Sequence, residues 1–145
     1  MAMMVSQMEG EFAEKFEEHG LSLVTELPNE SAFIFADGRR MFRVLDNIYG
    51  NVAKYAMEGT RVYATLSVSE STVEFSLKNI SKQPLNIDAS ELTERFIRGD
   101  VSRSTEGSGL GLSIAESLTE LQKGEFNITL DGDLFKVTLK FARIQ

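Results

Sequence analysis

Asp131-Gly132 stands between two runs of strict alternation, Phe126, Ile128 and Leu130 before it and Phe135, Val137, Leu139 and Phe141 after it. A period of two places every apolar side chain of a strand on one face, and Asp-Gly is the dipeptide best suited to a two-residue hairpin turn. This stretch therefore predicts an antiparallel pair with one apolar face, which needs a cover. The same period recurs upstream in Val62, Ala64, Leu66 and Val68 and in Val73, Phe75 and Leu77, with a turn near Glu70-Ser71. Elsewhere the period is helical. After Asp37, a capping residue, Met41, Leu45, Ile48, Tyr49, Val52 and Ala56 share one face of a helix over residues 37–57. Leu110, Ile114, Leu118 and Leu121 predict a second helix that stops at Gly124, and Phe12, Phe16 and His19 a short amphipathic one over residues 9–19. Short strands over residues 21–27 and 32–36, parted by Pro28-Asn29, and a short helix over residues 88–96 complete the reading. One-faced strands covered by amphipathic helices give an α+β fold, a two-layer α/β sandwich with a mostly antiparallel sheet.

Composition narrows the function classes. A chain of 145 residues builds one core without staples, and with no Cys it forms neither a disulfide nor a Cys-based zinc site. Its 22 acidic and 15 basic residues leave a formal charge of −7, the wrong sign for displacing counterions from nucleic acid. Its apolar runs are far shorter than the roughly 20 residues that span a bilayer, and residues 1–7 do not have the pattern of a signal peptide. The expectation is a domain in cytoplasm-like solvent, without membrane contact. His19, the single histidine, has no second His or Cys for a metal site and no nucleophile elbow nearby.

Three clusters carry candidate chemistry. On the 37–57 helix, Asn47, Asn51, Lys54 and Glu58 project within a narrow sector, with Tyr55 on its edge. Asn is a mediocre helix former, its amide oxygen suits Mg²⁺, and a lysine one turn on neutralises phosphate oxygens; a solvated polar face gives the same pattern. Next, Gly107, Gly109 and Gly111 punctuate the run Glu106-Gly-Ser-Gly-Leu-Gly-Leu112, which leads straight into a helix. Backbone N–H groups at a helix start suit a di- or triphosphate, although the spacing is neither the Rossmann nor the P-loop pattern and a glycine-rich loop alone reads likewise. Third, Arg95, Arg98 and Arg103 cluster just ahead of that loop, for phosphate oxygens or for surface ion pairs with Glu94, Asp100 and Glu106.

Taken together, residues 43–56 resemble the N-box, and residues 94–112 the F-box and G2-box, of the catalytic, ATP-binding domain of sensor histidine kinases. The resemblance runs over residues 21–141 and implies the Bergerat fold, a mixed sheet against three helices, with ATP and Mg²⁺ between the N-box helix and a lid. Residues 21–145 are then the ATP-binding catalytic domain, and residues 1–20 an N-terminal helix or the end of a linker helix. By this resemblance Asn51 is the Mg²⁺ ligand, Asn47 assists it, Lys54 contacts phosphate and Tyr55 lines the pocket. Phe96 anchors the lid, and Arg98 reaches the terminal phosphates with Arg103 nearby. The backbone of Gly107, Ser108, Gly109, Leu110, Gly111 and Leu112 wraps the phosphate chain. The implied reaction is γ-phosphoryl transfer to a histidine, by positioning and charge neutralisation. The implied partners are a separate histidine-bearing dimerisation domain and a response regulator. The parent would sit in the cell membrane, and this fragment would be monomeric.

Two departures from the family pattern stand out. Where the family has Asp-x-Gly-x-Gly after a strand, this chain reads Lys78-Asn79-Ile80-Ser81-Lys82-Gln83-Pro84. Asn79 then takes the adenine-reading position, its amide oxygen accepting from the adenine amino group while its NH₂ donates to the ring nitrogen. No phosphoacceptor box precedes the domain, since His19 is followed by Gly20-Leu21-Ser22. Two other readings share the fold: an anti-sigma-factor-type serine kinase, and a degenerate, non-catalytic interaction module that has lost tight ATP binding.

Overall fold

A computed structural model of the chain describes residues 1–30, 32–82 and 108–144, the last stretch with side chains from Leu112 onward. The central helix starts where Asp37 accepts the N–H groups of Arg39 at 2.9 Å and Arg40 at 3.1 Å, satisfying donors that have no partner within the helix. The Arg40 N–H, the chief cause, helps hold the Asp37 carboxyl below its usual pKa. From there α2 (Gly38–Tyr55) buries Met41, Val44, Leu45, Ile48, Tyr49 and Val52, each 2% exposed or less. It ends at Tyr55, two residues short of the span predicted from sequence, because Ala56 turns to extended backbone and pairs with Ser81. Glu58 therefore lies exposed beyond the helix end and leaves the sector of Asn47, Asn51 and Lys54.

Five strands form one sheet: β1 (Ser22–Glu26), β2 (Arg61–Val68), β3 (Thr72–Ile80), β4 (Glu125–Asp131) and β5 (Leu134–Ala142). Their order is β1-β2-β3-β5-β4; β1 runs parallel to β2 and the other pairs are antiparallel, the mixed sheet that the resemblance implied. The predicted alternation sets the register. Leu66 lies opposite Phe75, Phe75 opposite Leu139 and Leu139 opposite Phe126, an apolar row that faces the helices. On the other face Thr65, Ser76, Thr138 and Asn127 align, and the Lys78 ammonium sits 5.2 Å from the centre of the Tyr63 ring.

Two further helices, α1 (Ala2–Glu18) and α3 (Ser108–Leu121), pack with α2 over the apolar face. The sequence reading begins α1 at residue 9, but buried Val5 and Met8 carry the stripe of Phe12 and Phe16 further back. Tyr49 stacks on Phe12, Phe16 and Phe75 at 5.7, 6.3 and 6.2 Å between ring centres, joining α1, α2 and β3. Among the described side chains of α3, Leu112, Ala115 and Thr119 are buried, Ile114 and Leu118 are half-buried and Leu121 is 61% exposed, so the stripe predicted through Ile114, Leu118 and Leu121 is off by part of a turn; the Leu110 side chain lies outside the described ones. Lys123 takes the left-handed conformation after α3, at φ 66°, and Gly124 follows because a Cβ there would lie 2.5 Å from the Phe141 ring. Residues 32–36 are not a strand. Their one bridge joins Ile34 to Arg143, and Phe33 and Phe35 are 70% and 89% exposed. The helix predicted over residues 88–96 lies outside the described residues.

Candidate functional site

The ends of α2 and β3 are tied to each other. Met57 N donates to the Ile80 carbonyl at 2.7 Å, Lys82 N to the Tyr55 carbonyl at 3.0 Å, and Ala56 bridges Ser81. This clasp brings Asn51, Lys54 and Tyr55, on the last turns of α2, to the end of β3 that carries Asn79. Asn79 continues the inward row of Val73, Phe75 and Leu77 and is 3% exposed; Asn51 is 7% exposed. Asn51 thus belongs to the interior, not to a solvated helix face. Sequence reasoning did not single out Ser81, also buried, whose N–H donates to the Asp133 carbonyl at 2.8 Å and closes the same corner. Its one sequence signal is its place two residues after Asn79, on the same side of the chain.

Interior polar groups are nearly always hydrogen-bonded, so exceptions call for a reason. Among the described residues, six buried side-chain atoms have no hydrogen-bond partner: Thr25 Oγ1, the Tyr49 hydroxyl, Asn47 Nδ2, Asn51 Oδ1, Lys54 Nζ and Asn79 Oδ1. Four of the six belong to the residues singled out from sequence. An unsatisfied buried polar group costs about 1–3 kcal/mol, more when charged, so a fold that keeps four of them is arranged for something else to pair with them. The set is one amide donor, two amide acceptors and one ammonium. An amide oxygen is a hard ligand suited to Mg²⁺, and an ammonium and an N–H suit phosphate oxygens. No group of three or more His, Asp or Glu side chains placed to hold a metal ion occurs among the described residues, and a cation here would depend on the Asn51 oxygen and on oxygens of its ligand.

Helix α3 lies against α2 and runs antiparallel to it. Gln122, just past the end of α3, accepts from Asp37 N at 2.8 Å and reaches Met41 Sδ at 3.6 Å with its amide nitrogen. Counting back along α3 from Gln122 to Leu112 covers about 15 Å, and the same rise along α2 from Met41 arrives at Asn51. Leu112 therefore sits level with Asn51, and the N-terminal turn ahead of it, residues 108–111, level with residues 52–55, which include Lys54. The first N–H groups of α3 have no partners within the helix, and its dipole presents a partial positive charge there. Ser108, Gly109, Leu110 and Gly111 are helical in this turn, and Leu112, fully buried, anchors it to the core. Tyr55 is half-buried at the clasp. Phe96, Arg98, Arg103 and Gly107 lie outside the described residues.

Two other features are set apart from this corner. The Tyr49 hydroxyl has its pKa raised first by burial and then by Glu9, and it is a neutral core group. A hollow between α1 and β1 is lined by Glu9, Glu17, Phe16 and Ser22 among others, and its two carboxylates repel an anion.

Residues 36–143 match the family described as histidine kinase-, DNA gyrase B-, and HSP90-like ATPase. Sensor histidine kinase WalK of Bacillus subtilis (strain 168) is 29% identical over 140 residues, which cover 91% of this chain and 23% of WalK. Sensor protein VanS of Enterococcus faecium is 32% identical over 124 residues, 84% of this chain and 32% of VanS. The chain thus spans between 23% and 32% of the length of such relatives. Among solved structures, the nucleotide-free catalytic domain of histidine kinase ThkA superposes with a TM-score of 0.81 at 22% identity, over 99% of this chain and 92% of that one. ThkA in complex with the response regulator protein TrrA superposes with a TM-score of 0.77 at 21% identity, over 99% of this chain and 40% of that one. Both likenesses are likenesses of fold.

Proposed function

The chain belongs to the histidine kinase-, DNA gyrase B-, and HSP90-like ATPase family, and from that premise we propose that it is the ATP-binding catalytic domain of a two-component sensor histidine kinase. The observation that carries the proposal is the set of unpaired buried atoms on Asn47, Asn51, Lys54 and Asn79. In this reading Asn51 Oδ1 holds Mg²⁺, Asn47 Nδ2 and Lys54 Nζ meet phosphate oxygens, and Tyr55 lines the pocket. Asn79 Oδ1 accepts from the base. Mg²⁺, when bound, supplies neutralisation of charge on the phosphate oxygens. The residues of this chain orient the triphosphate, and the N-terminal turn of α3 adds N–H donors along it. Phe96, Arg98, Arg103 and Gly107 are assigned to the same nucleotide on the sequence resemblance alone.

A histidine nitrogen on a separate dimerisation domain then attacks the γ-phosphorus, the bond to the β–γ bridging oxygen breaks, and ADP leaves. Catalysis in this reading is mostly positioning, with no covalent role for the chain itself. A response regulator receives the phosphoryl group afterwards, and the parent protein lies in the cell membrane. No helix of the described residues is long and apolar enough to cross a membrane. Residues 21–145 form the ATP-binding unit, with α1 packed on its core.

The test mixes the chain with a histidine-bearing dimerisation domain and ATP labelled on the γ-phosphate. The expected result is an acid-labile, base-stable label on histidine. An acid-stable label on serine would replace this reading with the serine kinase. The replacement of the usual Asp and glycines by Asn79 and its neighbours favours, as second reading, a non-catalytic module. Absence of measurable ATP binding is its signature.

A further inference from the structure

We propose that the base-reading position of this site takes 6-oxopurine nucleotides as well as ATP, because the group that reads the base is a carboxamide. The inference rests on the nucleotide-site reading of Asn79 and goes beyond it to the range of substrates. Asn79 is 3% exposed, ends the inward row of β3, and its Oδ1 has no hydrogen-bond partner among the described residues. A carboxamide carries an acceptor and a donor side by side.

Adenine presents an amino donor at position 6 next to an acceptor at ring nitrogen 1. Asn79 matches it with Oδ1 on the amino group and Nδ2 on the ring nitrogen. A 6-oxopurine such as hypoxanthine presents the mirror pattern, an oxygen acceptor at position 6 next to an N–H at position 1. A half-turn of the Asn79 amide about its last side-chain bond exchanges Oδ1 and Nδ2 and matches that pattern equally well. In this structure the half-turn breaks no bond to Oδ1, since none is made. An ionised carboxylate at the same place has two acceptors and no donor. With either base one of its oxygens accepts, from the adenine amino group or from the 6-oxopurine ring N–H, while the other faces a lone pair, whereas the carboxamide satisfies both positions. Asn at position 79 thus serves both bases, each in its own orientation of the amide.

Calorimetric titration of the chain with Mg-ATP and with Mg-ITP, for the wild type and Asn79→Ala, tests this directly. The expected result is wild-type Kd values for the two nucleotides within about tenfold of each other. A wild-type ratio above tenfold overturns the inference. If ATP binding still weakens in Asn79→Ala, the site reading stands without it. If ATP does not bind, or Asn79→Ala leaves ATP binding intact, the site reading itself fails and takes the inference with it. The wild-type ratio decides the matter even if Asn79→Ala does not fold.

Discussion

Asn79→Leu should make the ligand-free protein more stable and deaf to nucleotide. Asn79 sits at the end of an otherwise apolar row, Val73, Phe75 and Leu77, with its Oδ1 buried and unpaired. An orphaned buried acceptor costs about 1–3 kcal/mol, and Leu is close to Asn in size, so replacement removes that cost and adds apolar burial. A domain of this size shifts its Tm by about 2–4 °C per kcal/mol, which puts the expected rise at roughly 2–12 °C. The wild type should gain from ligand instead. At a nucleotide concentration 100 times Kd, binding stabilises by about 2.7 kcal/mol, whereas the variant has lost the group that reads the base. Differential scanning calorimetry of both proteins, with and without Mg-ATP, gives the four values needed. A ligand-free variant that melts below the wild type would refute the claim that Asn79 is an unsatisfied group held for a ligand. So would a variant whose Mg-ATP shift equals that of the wild type.

Tyr49→Phe removes another unpaired hydroxyl but keeps the stack with Phe12, Phe16 and Phe75, so it should gain about 1 kcal/mol in urea unfolding. A loss of that size would show that the hydroxyl has a partner. Gly124→Ala drives a methyl to 2.5 Å from the Phe141 ring and should cost about 1–3 kcal/mol, read as a lowered urea midpoint with an unchanged slope. Asp37→Asn keeps a capping oxygen but removes the charge. Because the folded pKa of Asp37 is depressed, the stabilising contribution of its charge is present above the ordinary carboxylate range and disappears as pH falls through the folded value. Urea midpoints of the two proteins should therefore differ at pH 7 and converge in strong acid; a gap that is constant with pH would contradict the capping role of the charge.

The hairpins were legible because period-two alternation and turn residues are local signals, and the sheet pairs Phe75 with Leu139 and Leu139 with Phe126 as the pattern requires. α3 was harder. Counting large apolar residues favoured Leu110, Ile114, Leu118 and Leu121, but the buried surface of α3 uses Ala115 and Thr119, whose small side chains carry little hydrophobic signal. Thr119 is tolerated there because its hydroxyl donates to the Ala115 carbonyl at 2.7 Å. Phe33 and Phe35 misled in the opposite direction. Their apolar run reads as a strand, yet only Ala32, Ile34 and Ala36 pack on the core. At the site, the spacing of Asn47, Asn51 and Lys54 was visible at once, but a polar sector opposite an apolar stripe looks the same whether solvated or enclosed. Burial of Asn51 is a tertiary property, set by the clasp between α2 and β3 and by α3 alongside. Asn79 carried no local signal of its own and emerged only through the resemblance.

The central claim, that Asn51 and its neighbours hold a Mg²⁺-nucleotide, is tested most directly by calorimetric titration with a non-hydrolysable ATP analogue, with and without Mg²⁺, for the wild type and Asn51→Asp. The account predicts Mg²⁺-dependent binding in the wild type that is weakened at least tenfold in Asn51→Asp. Binding of equal strength in both proteins, or the absence of binding in a folded wild type, would contradict it.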